Sequence, residues 1–195
     1  VGLIHTPTAR IYDEGVHGVT AYNGTPNQTV TLSANPFDWM EASFFYTNVE
    51  DRPYCYDFTT PFCSQDFKDK GFNVKVRVKE EGKLPAIAIG LQDFAGTGIY
   101  SSEYIVGSYG INKTDFHFGL GFGLLDGSEQ SFKNPLSLIS DKFNDRPTEL
   151  EGLGGSFQPS RYFSGETVSP FFGVSHVVRN KLILKLEHDT SVRPG

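Results

Sequence analysis

The segment 71–80, GFNVKVRVKE, alternates strictly between apolar and polar residues. Every even residue from Phe72 to Val78 is apolar, and every odd residue from Asn73 to Lys79 is polar or cationic. Because successive side chains of a β-strand point to opposite faces, this period predicts a strand with one apolar and one polar face. A soluble sandwich would bury the apolar face in a core, whereas an outer-membrane barrel would present it to lipid and enclose the polar face.

Similar strand signals recur along most of the chain. The predicted strands are 15–22, 29–34, 39–47, 71–80, 85–93, 101–109, 114–124, 170–178 and 181–189, and a short helix is predicted only at 135–143. The alternation predicts a lipid-facing set, which comprises Val74, Val76, Phe116, Phe118, Phe122, Leu182, Leu184 and Leu186.

The links between these strands alternate in length. They are short after the second, fourth, sixth and eighth strands and long near 48–70 and at 125–169. Outer-membrane barrels have short periplasmic turns and long outer loops, whereas a sandwich has no reason to sort its loops in this way. We therefore predict that 1–195 is a single region of an antiparallel transmembrane β-barrel with those two outer loops. Because single-chain bacterial barrels have even strand numbers, the nine predicted strands indicate a fragment of a longer barrel, with about 9–10 strands in this chain, or one strand that the periodicity misses.

Composition excludes several classes of function. The net charge of −6 disfavours nucleic acid as a partner. Five histidines are scattered without ligand spacing, so no metal or other cofactor is expected. No G-x-S-x-G or H-E-x-x-H motif is present, and we expect no enzymatic activity.

Two cysteines, Cys55 and Cys63, enclose a short loop that contains Pro61. No array of histidines or acids accompanies them, so the pair is a poor metal site. We predict a disulfide between them, which implies an oxidising compartment such as the periplasm or the cell surface. Two free thiols in a cytosolic protein are the alternative.

Three cations on one strand form a candidate ligand-binding ladder for the lumen of the barrel. Lys75, Arg77 and Lys79 share one face at a spacing of about 6–7 Å, within a Debye length of about 8 Å, so their fields add. Lys185 extends this predicted lumen set, and Glu41 and Gln92 complete it. Such a ladder would attract an acidic polysaccharide. The alternative is a solvated face, or ion pairs with acids of neighbouring strands such as Glu41.

Other features of the predicted lumen allow two readings each. Gly119, Gly121 and Gly123 either clear space for a polymer or a plug, or ease strand curvature. The segment around Pro7 is predicted to be extended, inside the barrel or on its periplasmic rim. Aromatic residues near strand ends form interface girdles or stack on sugar rings; they are Tyr22, Trp39, Tyr46, Tyr100, Tyr109 and Phe171.

Several blocks of the chain resemble one protein family. GLIHTPTAR (2–10), PFDWMEASFFYT (36–47) and above all the block 68–106 are similar to the YjbH/GfcD-type family of outer-membrane proteins of exopolysaccharide and capsule operons. The resemblance implies an outer-membrane β-barrel, longer than this chain, that takes part in polymer export or assembly. It supplies no catalytic residues, and segment 52–66 departs from the family pattern.

The expected function is therefore that of a conduit or accessory barrel in exopolysaccharide or capsule export, located in the bacterial outer membrane. The expected partners are membrane lipid, an acidic polysaccharide and other envelope proteins of the export machinery. Two alternatives stay open. One is a structural barrel subunit of a larger envelope complex, and the other is a secreted β-sandwich that binds glycans.

Overall fold

The fold is an antiparallel sheet of ten strands. The computed structural model describes residues 2–25, 27–54, 65–147, 157–179 and 182–192. Every strand pairing in the sheet is antiparallel. The strands are β1 (His17–Asn23), β2 (Asn27–Phe37), β3 (Met40–Tyr54), β4 (Gln65–Lys79), β5 (Ala86–Gln92), β6 (Ser102–Ile111), β7 (Thr114–Gly123), β8 (Phe132–Lys133), β9 (Thr167–Arg179) and β10 (Leu182–His188).

All nine predicted strands are present, which confirms the all-β antiparallel class. The sequence analysis missed the two-residue β8, which pairs with β9 beside the main path of the sheet. Both β3 and β4 are longer than predicted at the ends that face each other. The link between them is therefore 55–64, and not 48–70. The helix predicted at 135–143 is two 3-10 turns, Pro135–Leu138 and Asp141–Phe143, and a third lies at Pro159–Arg161.

The sheet is open within the described residues. Its order is β1-β2-β3-β4-β5-β6-β7-β9-β10, and no pairing joins β1 to β10 in this part of the chain. The predicted closure into a barrel is therefore not observed. No described helix has the length and apolar character needed to cross a membrane.

One face of the sheet, here called the apolar face, carries large exposed hydrophobic side chains. Cross-strand pairing aligns them in rows, so that Val19 lies opposite Leu32, and Leu32 opposite Phe44. Leu186 is 71% exposed. Other exposed members of this face are Val19, Val30, Leu32, Tyr46, Phe72, Phe116, Phe118, Phe172 and Leu184.

The opposite face, here called the polar face, is the more buried one. Lys75 is only 3% exposed, and further buried polar members are Thr47, Asp69, Ser108, His117 and Ser169. This distribution inverts that of a water-soluble sheet, in which the apolar face is buried and the polar face is solvated.

The N-terminal segment, residues 2–10, lies across the polar face. Ala9 is fully buried in a small cluster of apolar side chains, whose other members are Ala86, Ala88, Tyr104, Val106, Leu125 and Phe171. A β-bridge between Gly2 and Pro7 folds the segment back on itself. The segment therefore packs against the polar face, and a position inside a barrel or on its rim stays a prediction.

Candidate functional site

The three cations of the predicted ladder do not form a continuous row on the polar face, and each has different surroundings. The ammonium of Lys75 lies 3.3 Å from the Glu41 carboxylate, because Glu41 and Lys75 are cross-strand partners of β3 and β4. Cross-strand charge pairs of this kind stabilise a sheet. This is the ion pair that the sequence analysis kept as its alternative.

Arg77 and Lys185 also have partners within the protein. Arg77 donates to the Asp38 carbonyl at 2.8 Å and lies 3.6 Å from Glu80. The register of β4 against β5 shifts between Arg77 and Lys79, so a bulge interrupts the alternation before Lys79. Lys185 donates to the Leu3 carbonyl at 3.2 Å. That this set binds a polymer stays a prediction.

Glu187 on β10 anchors the N-terminal segment. Its carboxylate accepts the backbone N–H groups of Ile4 at 3.0 Å, His5 at 2.9 Å and Thr6 at 3.2 Å, and also the Thr6 hydroxyl at 2.9 Å. A carboxylate that accepts several N–H groups is held in one position by charge-assisted hydrogen bonds. The segment is thereby fixed to β10.

The far end of the same segment is anchored to the middle of the sheet. The Ala9 N–H donates to the Ser108 hydroxyl at 2.8 Å, and Ser108 is in turn 2.8 Å from the His117 ring. Arg10 pairs with Asp115 and Glu81. Its hydrogen bond to Asp115 raises the pKa of Arg10 above the ordinary value, although partial burial opposes this. The segment thus lies between two ionic anchors.

Two cavities lie between this segment and the polar face. The larger, here called the polar-face cavity, has a volume of about 340 Å³, and the smaller has about 180 Å³. Both are lined by Ile4, His5, Asn73 and Gln92, so they adjoin each other. The predicted lumen residue Gln92 therefore faces both cavities, whereas Glu41 and Lys75 line only the smaller one.

Asp69 and Asp93 form a buried carboxylate pair near the end of β5. Asp69 accepts the Thr97 hydroxyl at 2.6 Å, and Asp93 accepts the Tyr100 N–H at 3.0 Å. Burial raises the pKa of Asp93 to about 7, and repulsion by Asp69 adds to this rise. Hydrogen bonds from Tyr100 and Gly98 and the charge of Arg161 oppose the rise. We therefore expect Asp93 to change its protonation state near neutral pH.

Arg146 fixes the link between β7 and β9 to the apolar face. Its guanidinium contacts both carboxylate oxygens of Glu103, at 2.7 and 2.9 Å, and also donates to the carbonyls of Ser101, Arg161 and Ser164. The link covers Phe122, which is 1% exposed, so the predicted lipid contact of Phe122 is wrong.

The three glycines of β7 leave room for neighbouring side chains. A Cβ on Gly119 would meet the Phe171 ring, and one on Gly121 would meet Leu125. Gly123 has φ +63 and lies against Arg146. These glycines therefore permit close packing within the protein.

The candidate site comprises the polar face, the N-terminal segment and the two cavities between them. Comparison with known proteins assigns the chain to a family. A family model described as "Exopolysaccharide biosynthesis protein YbjH" matches residues 1–192. The chain belongs to this family, YjbH. It is 37% identical over 192 residues to the "Uncharacterized lipoprotein YjbH" of Escherichia coli (strain K12). No solved structure matches it.

The match covers 97% of this chain but only 27% of the E. coli relative. It confirms the resemblance to the YjbH family that the blocks at 2–10, 36–47 and 68–106 indicated. The predicted disulfide between Cys55 and Cys63 lies outside the described residues and stays a prediction. Among the residues that the structure describes, no group of three His, Cys, Asp or Glu residues is placed to hold a metal ion.

Sequence reasoning missed the anchors of the N-terminal segment and of the β7–β9 link. Glu187 lies 181 residues from Thr6 along the chain, and Arg146 lies 43 residues from Glu103. Local periodicity carries no information on such distant pairs. Glu103, an acid at an apolar-face position of β6, was the one available signal, since an acid there requires a partner.

Proposed function

We propose that this YjbH-family chain forms part of the wall of a β-barrel in the bacterial outer membrane. The barrel takes part, without a catalytic step, in the export or assembly of an exopolysaccharide or capsule. Its partners are membrane lipid, the polysaccharide and other envelope proteins of the export machinery. The observation that carries the proposal is the inverted burial of the sheet, in which Leu186 is exposed and Lys75 is enclosed.

The apolar face supports contact with lipid. Burial of one large apolar side chain is worth about 1.5–3 kcal/mol, so a whole exposed row is unfavourable in water. Apolar surfaces of this extent mark membrane or protein contacts. A groove of about 600 Å³ crosses this face between β1 and β4, where the small residues Gly18, Ala34 and Ala42 lie among larger ones. Such a groove accommodates acyl chains.

Family membership supports a role in exopolysaccharide export or assembly. The family description names exopolysaccharide biosynthesis, and the E. coli relative is named as a lipoprotein, which agrees with a location in the cell envelope. The polar face with its cavities supplies the hydrophilic path that a polysaccharide needs, and the N-terminal segment narrows that path.

Deletion of the gene for the whole protein tests the proposal. We expect the deletion strain to lose surface exopolysaccharide and the wild-type gene to restore it. The variant Phe118→Arg, which puts a charge on the apolar face, should fail to restore it, because an Arg in the lipid-facing middle of a strand costs about 2–4 kcal/mol. Unchanged export after deletion, or recovery of the wild-type protein in the soluble fraction, would contradict the proposal.

A further inference from the structure

The polar-face cavity has a lining without fixed ionic charge. It contains no Asp, Glu, Lys or Arg side chain of the described residues. On this face Lys75 lies in the smaller cavity, where the Glu41 carboxylate is 3.3 Å away. Two acids adjoin the lining of the larger cavity: Asp69 is the cross-strand partner of Thr47, and Glu187 accepts the backbone N–H groups of Ile4 and His5. An anionic group inside the larger cavity would therefore lose its water without gaining a cation, and such desolvation costs several kcal/mol per ion.

Hydroxyl and amide groups dominate the polar part of the lining. The side chains of Thr29 and Thr47 are hydrogen-bonded to each other at 2.8 Å, and the Tyr100 hydroxyl donates to the Asn27 side chain at 2.8 Å. A hydroxyl has one donor and two acceptor positions, so the Thr29–Thr47 pair retains donor and acceptor positions for a ligand. Sugar hydroxyls both donate and accept hydrogen bonds, so such groups are suitable partners for them.

Aromatic rings complete the lining. Phe45 and Tyr100 meet edge to face at a centroid distance of 5.9 Å, and His5 and Tyr22 do so at 6.0 Å. Ring faces and edges offer apolar surface to the C–H groups of a pyranose. A volume of about 340 Å³ lies within the range of small-ligand pockets, at its lower end.

We infer that the polar-face cavity is a subsite for an uncharged sugar unit of a glycan. The inference rests on the proposed function and specifies its substrate class: the polymer segment that contacts this wall is neutral. It differs from the expectation of an acidic polysaccharide, because the cations of the predicted ladder lie outside the cavity, and Lys75 and Arg77 are bound to groups of the protein itself.

Calorimetric titration of the whole protein in a sugar-free detergent tests the inference. The probes are maltohexaose, an uncharged glucan, and the hexamer of galacturonic acid. We expect maltohexaose to bind and the acidic hexamer to bind at least tenfold more weakly. Preference for the acidic hexamer, or no binding of maltohexaose, would overturn the inference, whereas the deletion strain tests the proposed function separately.

Variants at Thr31 locate the binding. Thr31 lines the cavity, and its cross-strand partner Thr20 lies on the same face outside the lining. Thr31→Val removes one hydroxyl and should weaken maltohexaose binding by about three- to tenfold, in keeping with the loss of a single hydrogen bond. Thr20→Val should leave it unchanged.

A charge placed in the cavity gives a second readout. Thr31→Lys should let the acidic hexamer bind, because it supplies the cation that the lining lacks. Acidic binding that is already present in the wild type and does not respond to Thr31→Lys would show that the cavity is not the subsite.

Discussion

The Lys75 ammonium lies 3.3 Å from the Glu41 carboxylate on the polar face of the sheet. The two residues are direct partners in the register of β3 and β4, and Lys75 is nearly inaccessible to solvent. A cation held in this way stabilises the sheet and is not available to a passing anion. The ion pair is therefore enclosed beside the neutral hydroxyl and amide groups that line the polar-face cavity.

Removal of one partner of this pair should destabilise the protein. We expect Lys75→Met to lower the free energy of unfolding by about 3 kcal/mol, because a carboxylate is left without its buried cation. The double variant Glu41→Gln/Lys75→Met should recover part of the loss. The measurement is guanidinium unfolding in detergent micelles, with the exposed Lys68→Met as the matched control. Equal losses for Lys75→Met and Lys68→Met would show that the pair contributes nothing.

The hold of Glu187 on the N-terminal segment gives a second prediction. Glu187→Gln turns one acceptor oxygen into a donor that faces the backbone N–H groups of Ile4, His5 and Thr6. Amide hydrogen exchange of residues 2–10 should accelerate, while exchange in β4 and β5 stays unchanged. Glu129→Gln, at an exposed acid, serves as control. Unaltered exchange of the segment would mean that the packing of Ala9 alone holds it.

The buried carboxylate of Asp93 predicts a pH dependence of stability. Its pKa in the folded protein is about 7, against an ordinary value of 3.8. A raised pKa favours the folded state while the group is protonated, so this contribution is complete below about pH 4 and is lost as the pH rises through 7.

Asp93→Asn tests this pH dependence, because the amide keeps a neutral side chain at every pH. We expect the variant to gain stability relative to wild type between pH 5 and pH 8, measured by guanidinium unfolding at both values. The exposed Asp13→Asn should show no such change. A variant that is more destabilised at pH 8 than at pH 5 would show that Asp93 acts as a charged acceptor.

The contact of Arg146 with Glu103 predicts how the β7–β9 link is held. Arg146→Lys keeps the charge but loses the planar arrangement of donors that reaches both carboxylate oxygens and three carbonyls. The Phe163 N–H donates to the Glu103 carboxylate at 3.0 Å, so its hydrogen exchange reports on this contact. Hydrogen exchange at Phe163 and at Phe132–Lys133 should rise by at least tenfold. The exposed Arg179→Lys is the control, and protection retained in Arg146→Lys would contradict the role of the bidentate contact.

The alternation of apolar and polar residues made the strands predictable. Where the alternation is absent, the predicted ends of the strands are wrong. The alternation in 71–80 and 114–124 is the direct signature of a two-faced strand. The added halves of β3 and β4, at 48–54 and 65–70, are rich in polar residues and lack that alternation, so only their pairing with each other reveals them. The bulge before Lys79 has no local signal either.

The sequence predicted which face of the sheet carries the candidate site. It did not predict the ion pair or the cavity on that face. The polar parity of β4 correctly placed Lys75 on the enclosed face. Its ion pair depends on the register with β3, which local sequence leaves open, and so the pairing of Lys75 with Glu41, itself a member of the predicted lumen set, stood only as an alternative. The polar-face cavity depends on the N-terminal segment and on contacts across the whole chain, so residues such as Thr31 carried no sign of their role.

The most direct test of the account compares the two faces of the sheet, at one position on β2 and one on β4, in a membrane. Spin labels are placed singly at Thr31, Leu32, Asn73 and Phe72 in a background without Cys55 and Cys63, and the whole protein is reconstituted in lipid vesicles. Labels at Leu32 and Phe72 should collide with oxygen dissolved in the bilayer, and labels at Thr31 and Asn73 should be shielded from it. Shielding of Leu32 and Phe72 from oxygen would contradict the account, because the apolar face would then be covered by protein.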